Sequence, residues 1–426
     1  MIHVTRRLPD RPHLDVPRRE ARELLADWKN GDRGALERLR AQHPRLKRLT
    51  LEEIAAAPAR LADAQWVVAR EYTYATWAEL KHRIEKNDAA LGIQEAIRTG
   101  DAGRTVVLLR ANPSLLHLPL RSRNWGAPLT YAANVGQLGV LQAIATLGPT
   151  DHQHALYRAI LQGHLECAAW LLRHGAHLAP GIVMGPCQTL NSAALSFLAD
   201  AGAPFTDERG DKLAPLAMVL TIYARNPAEK HACLSVFERL GYALPDTAAL
   251  AFHRGRLDLL EQHLRRDGGL LARRFSLAEI YPPALGCKGP DFSGMGGTPI
   301  AGGTLLHLAI DFDEQEIFEW LLANGAEVNA AATVDANGFG GHTPLFNAVV
   351  SQGGCKHSAA MGRALLARGA DRAHRASLRK FLDWIERPRW HEALAVTPLE
   401  WGQTFPERDW VNVELLTQLE APPPFS

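Results

Sequence analysis

The sequence predicts an all-α solenoid of short paired helices, preceded by a separate helical segment. Three observations carry that reading. Residues 303–329, GTLLHLAIDFDEQEIFEWLLANGAEVN, hold two apolar faces at helical spacing: Leu305, Leu306, Leu308, Ala309 and Ile310, then Ile317, Phe318, Leu321 and Leu322. The same slots recur along most of the chain. Helices this short cannot bury their apolar faces alone, so each pair needs neighbours like itself. The length of 426 residues at 46% hydrophobic content exceeds one compact domain and can fill a large core.

Within 303–329, Thr304 is the expected N-cap, and Asn324-Gly325 stops the second helix because glycine accepts the left-handed conformation of a C-cap. The string resembles an ankyrin repeat. Thr304 to His307 stand at that family's T-P-L-H, and Gly325-Ala326-Glu327-Val328-Asn329 stand at its G-A-D-V-N. Leu305 replaces the usual Pro, and Asp313-Glu314 replace the usual Gly-His between the helices; both are read as exposed helix-end residues. The resemblance implies that His307 joins a local hydrogen-bond network, and that the array binds a protein partner.

Taken in order, residues 1–18 are rich in Pro and Arg, lack periodicity and read as a mobile leader. Residues 19–88 read as a helical N-terminal cap domain. Ala21, Leu24, Leu25 and Trp28 share one face, Leu36, Leu39 and Leu46 another, and Thr50 caps LEEIAAAP. The run LADAQWVVAREYTYATWAELK resembles a helical segment that precedes bacterial ankyrin arrays, through Asp63, Ala64, Gln65, Ala69, Arg70, Glu71, Tyr72, Trp77, Leu80 and Lys81. A solenoid end needs such a cover over its open apolar face.

The array is assigned to residues 89–421, with 422–426 a Pro-rich tail. Gly100, Gly136, Gly163 and Gly255 occupy one slot, and Ala96, Ala132, Ala159, Ala251, Ala309 and Ala348 occupy a small-residue slot where helices cross. Gly148, Gly175 and Gly202 recur every 27 residues, against a family period of about 33, so fingers between 125 and 203 should be trimmed. Three overlong loops break the pattern further on: 273–303, 330–342 with an Asn-Gly turn signal, and 371–396, basic and aromatic. Successive loops of a solenoid emerge on one side, so these three should be neighbours.

Composition excludes several classes. Formal charge is +1, from 47 basic and 46 acidic side chains, which gives no global field for nucleic acid or membrane. Five scattered cysteines without a C-x-x-C pair argue against a zinc ribbon or disulfide scaffold. No signal-peptide pattern opens the chain, and no apolar run approaches ~20 residues. The expected location is cytoplasmic.

Chemistry is sparse. G-x-S-x-G, P-loop and Rossmann signatures are missing. GMGGTPIAGG at 294–303 follows no evident strand and reads as a connector. Cys287, Asp291, Asp311, Asp313, Cys355 and His357 lack metal-ligand spacing, so neither metal nor cofactor is expected. Asp335 with His342 is the pair to test for a His–carboxylate site. The 372–390 segment, with Arg372, Arg375, Arg379, Lys380, Arg387 and Arg389 around Trp384 and Trp390, is either a patch for acidic protein or nucleic acid, or a solvated helix packing its Trp residues on the array.

The leading functional expectation is a non-enzymatic protein-binding scaffold using the concave face and long loops, with nucleic acid not favoured. The alternative is an enzyme or small-ligand protein with its site where loops 273–303, 330–342 and 371–396 converge. The expected binding residues are Arg123, Asn124 and Trp125 in a repeat-entry loop, and Tyr281, Asp335, Phe339, His342, Arg375 and Arg379 on the long loops. A closed concave pocket would favour the alternative, and a broad open surface the scaffold.

Overall fold

The computed structural model describes residues 6–9, 12–120, 126–288, 297–352, 355–382, 389–405 and 410–421. The chain divides into two compact units, Met1–Ala176 and His177–Ser426.

In the first unit, helix Asp15–Lys29 packs on helix Leu61–Glu71 through the stripe Pro17, Ala21, Leu24 and Trp28. The Trp28 indole N–H donates to the Ile54 carbonyl at 2.8 Å, so this large buried ring leaves no polar atom unsatisfied. Thr50 and Glu53 form a capping box on helix Leu51–Ala56. Glu71 is only 4% exposed and is held by a two-pronged Arg38 contact at 2.8 and 2.9 Å. Helix Trp77–Arg98 runs without a break through residue 88 and packs on helices Ala102–Ala111 and Pro128–Asn134. The pairs Pro128–Asn134 with Leu138–Ala145, and His152–Gln162 with Leu165–Arg173, follow. Only residues 146–151 separate the two pairs.

The second unit holds further pairs, among them Ala214–Thr221 with Pro227–Arg239, Leu305–Asp311 with Gln315–Ala323, and Pro344–Val349 with Ser358–Ala367. The small-residue slot is explained by packing: Ala96, Ala132, Ala159, Ala251, Ala309 and Ala348 are all buried. So is the glycine slot. Gly136 has φ +73°, and a Cβ there would lie 2.6 Å from the His164 ring, so both backbone and space require glycine.

Two expectations need correction. The segment 371–396 is not a helix. It contains an antiparallel hairpin, β1 (Ala376–Leu382) and β2 (Arg389–Val396), so the second unit is helical with one two-stranded sheet rather than all-α. The alternating burial of β1 shows the reason: ASLRKFL has a period of two, which a helix cannot bury on one face. Second, Asp313 and Glu314 are not exposed; they are 2% and 4% accessible. Asp313 takes the glycine slot with φ +60°, and its carboxylate accepts from the backbone N–H groups of Lys356 and His357 and contacts the His357 ring. Glu314 contacts the His231 ring at 2.8 Å.

Candidate functional site

The long loops of the second unit are held by histidines, three of them buried and His374 partly so. Each uses one ring N–H to donate to a carbonyl of a loop, which fixes its tautomer. His253 reaches Ile280 O at 2.8 Å, His307 reaches His342 O at 3.1 Å, His342 reaches Pro299 O at 2.8 Å, and His374 reaches Gly341 O at 2.7 Å. Burial holds His253 well below the ordinary histidine range, and pushes His307 down to about 3 and His342 to about 4. The loops are also stitched to one another. Thr333 N–H donates to Gly302 O, joining 330–342 to 273–303, and Gly340 N–H donates to Ser377 O, joining it to β1. At Gly340, φ is +126° and a Cβ would lie 2.1 Å from Thr333 O, so only glycine allows that closure.

Together they wall a concave cavity of about 660 Å³. Its walls are mostly apolar, with Met218, Ile222, Leu277, Ile300, Phe339 and Leu378 among them. On one wall the Arg225 guanidinium donates to the Asp311 carboxylate at 2.8 Å and carbonyl at 2.6 Å, with both side chains at least 95% buried. Burial works against the Arg225 charge, and Asp311, with Tyr281 and Cys355, more than offsets it. Elsewhere, Asp335 accepts from the N–H groups of Asn337 and Phe339 and from Arg379 at 2.7 Å. The Phe339 N–H, with that of Asn337 and Arg379, holds the Asp335 carboxyl below its ordinary range. The Arg379 guanidinium lies 4.8 Å from the Phe339 ring centre and 5.2 Å from that of Trp390.

Both cavity ion pairs are therefore internal. Outside those pairs stand the exposed Lys288 and two unpartnered acceptors: His342 Nδ1 and Gln352 Oε1, on residues 1% and 7% exposed, are buried without a hydrogen-bond partner.

Of the residues expected from sequence, Tyr281, Asp335, Phe339, His342 and Arg379 all line this cavity. Arg375 does not; it pairs with Glu400 at 3.0 Å. Arg123, Asn124 and Trp125 lie outside the described residues. Asp335 and His342 are not hydrogen-bonded to each other, each being committed elsewhere. In the basic segment, Arg372 donates to Gln418 O, Arg375 and Arg379 are paired, Lys380 is 2% exposed and Arg389 is exposed, while Trp384 and Arg387 lie outside the described residues. No cluster of three or more potential metal ligands occurs among the described residues, and Asp291 lies outside them.

Arg225, Thr298 and Gln352 also line the cavity and carry no sequence expectation, and Asp311, considered only among possible metal ligands, lines it as the partner of Arg225. A signal for part of this is present. Eight positions beyond Pro215 and Pro344, where other repeats carry the turn glycine, stand Tyr223 and Gln352. The turn glycine is lost, the connections lengthen to 222–226 and 350–357, and both residues line the cavity.

Residues 301–332 match the family model described as ankyrin repeat. The chain is a helical repeat protein resembling ankyrin-repeat domains. Among solved structures, the crystal structure of human ASB11 ankyrin repeat domain is 19% identical, the match covering 70% of this chain and 100% of that one with a TM-score of 0.26. No curated protein matches the chain. No helix among the described residues is long and apolar enough to cross a membrane.

Proposed function

We propose that this is a non-enzymatic binding scaffold whose second unit recognises a protein partner by receiving an apolar, donor-bearing group in the cavity. The carrying observation is the contrast inside that cavity: Arg225 and Arg379 are paired with Asp311 and Asp335, Lys288 stands exposed in the lining, and His342 Nδ1 and Gln352 Oε1 are left as unpartnered acceptors. A partner segment with an N–H or O–H on an apolar body, such as a tryptophan indole, would satisfy them and bury apolar area. The ankyrin-like repeat supports a protein as the partner. Against catalysis, burial pushes the thiols of Cys287 and Cys355 up to about 11 and about 12, so neither is a ready nucleophile. In this reading residues 19–88 cap the array, and the five free cysteines suit a reducing cytoplasm.

The test is selection of peptides from a displayed library, followed by titration against two variants. Ala301→Trp, at an exposed alanine on the cavity wall, should weaken the selected peptides at least tenfold. Arg375→Ala, off the cavity, should leave them unchanged. Equal binding by wild type and Ala301→Trp would overturn the proposal. The cavity volume also fits a free small molecule of the same chemistry. A thermal-shift screen of apolar amides and indoles, with Ala301→Trp as control, would reveal that case as small-molecule binding without peptide binding.

A further inference from the structure

The first unit has its own cavity, of about 650 Å³, and its chemistry is the opposite of the one above. Arg6, Arg7 and Arg83 line it, and among the described residues no carboxylate does. Arg6 is tethered, with its guanidinium 3.2 Å from Glu20 and its backbone N–H donating to Glu71 O. Tyr72 O–H donates to the same Glu20 carboxylate at 3.2 Å, so this side of the wall is fixed and its charge balanced. Among the described residues, Arg7 and Arg83 pair with no carboxylate.

Two further features point to an acceptor-rich ligand. Asn87 stands one helical turn after Arg83 on helix Trp77–Arg98, hence on the same face. Its Nδ2 is buried with no hydrogen-bond partner, a donor awaiting an acceptor. Thr73, also in the lining, follows helix Leu61–Glu71 at φ +70°, with its N–H donating to Arg70 O. A β-branched residue is strained in the left-handed region, where glycine would be relaxed. The position therefore carries a hydroxyl-bearing residue at a conformational cost, and that residue borders the cavity.

We infer that this cavity binds the phosphoryl group of a small phosphate monoester. A phosphate dianion matches the two unpaired guanidinium groups in charge, and its oxygens offer acceptors for the forked arginine donors and the Asn87 amide. The half-buried Tyr74 adds a ring surface, so an ester with an aromatic group should bind more tightly than inorganic phosphate.

The experiment is calorimetric titration of the full chain with inorganic phosphate, phenyl phosphate, benzoate and phenol at fixed ionic strength. Phenyl phosphate should bind best, inorganic phosphate more weakly, benzoate barely and phenol not at all. Arg83→Ala and Arg7→Ala should each weaken phenyl phosphate about tenfold or more, the scale of a lost charge-assisted contact. Asn87→Leu should weaken it several-fold. Arg48→Ala, an exposed arginine away from the cavity, should have no effect. Thr73→Gly gives an independent readout, raising the melting temperature while weakening binding. Absence of phosphate binding to wild type would overturn the inference. So would an Arg48→Ala effect equal to that of Arg83→Ala, which marks diffuse charge attraction, or full affinity in folded Arg83→Ala.

Discussion

The turn at Gly136 and the turn spanning 350–357 sit between paired helices in the same way, yet they are built differently. At Gly136 the backbone is left-handed and the His164 ring packs so close that a Cβ would lie 2.6 Å from it. His164 Nε2 then donates to Asn134 O at 3.1 Å, tying one repeat to the next. At 350–357 no glycine stands in that slot; Gln352 does, with its Oε1 unsatisfied and its side chain on the cavity wall. A neighbouring ring fills the space beside Gly136, whereas Gln352 stands on the wall of a cavity. The same exchange occurs at Tyr223 in the 222–226 connection. Irregularity in this array is where cavity volume comes from, and the buried groups around it must be stabilised by other means.

The largest expected effect is on those other means. Replacing Arg225 by Leu leaves Asp311 buried and unpaired and should destabilise the second unit by about 3–5 kcal/mol, read as a lower denaturant midpoint. The double replacement Arg225→Leu with Asp311→Leu should recover most of that loss, which separates the pair's structural role from its charge.

Acid should act next. His307 and His342 stay neutral in the fold down to about 3 and about 4, whereas unfolded histidine protonates near ~6.5. The unfolded state therefore binds more protons below that pH, and stability present above ~6.5 is lost as pH falls toward the folded values. Between pH 7 and 5.5 the two rings together should account for roughly 2–3 kcal/mol of lost stability, measurable by chemical denaturation. His342→Gln should flatten about half of that slope.

Gly136→Ala should cost about 2 kcal/mol through its left-handed backbone and the clash with His164. Asp313→Gly sharpens the contrast. It relieves strain of about 1 kcal/mol but removes three contacts to Lys356 and His357, so a net loss near ~1 kcal/mol is expected from the hydrogen-bond terms. A gain in stability would show that the Asp313 contacts contribute less than the strain.

Much of the scaffold was legible because it obeys local rules. Glycines at 100, 136, 163 and 255 do adopt positive φ, and alanines at the crossing slot are buried. Period-two patterning in ASLRKFL was also present, but its arginine and lysine obscured it; Lys380 points inward, 2% exposed, near the Phe405 and Trp410 rings. The candidate site was partly legible, since overlong loops are countable and Tyr281, Asp335, Phe339, His342 and Arg379 lie on them. The Arg225–Asp311 pair was not, because the partners are 86 residues apart and meet only through repeat stacking. Asp313 and Glu314 were misread because their slot is a helix end, and a helix end in a stacked array is not necessarily exposed.

The central claim is that the loop-lined cavity of the second unit is the recognition site. It is tested most directly by hydrogen exchange with and without a selected peptide. The account predicts added protection at backbone amides in 297–301, 333–342 and 378–382, and none in the presence of Ala301→Trp. Protection confined to other segments, with these three unchanged, would contradict it.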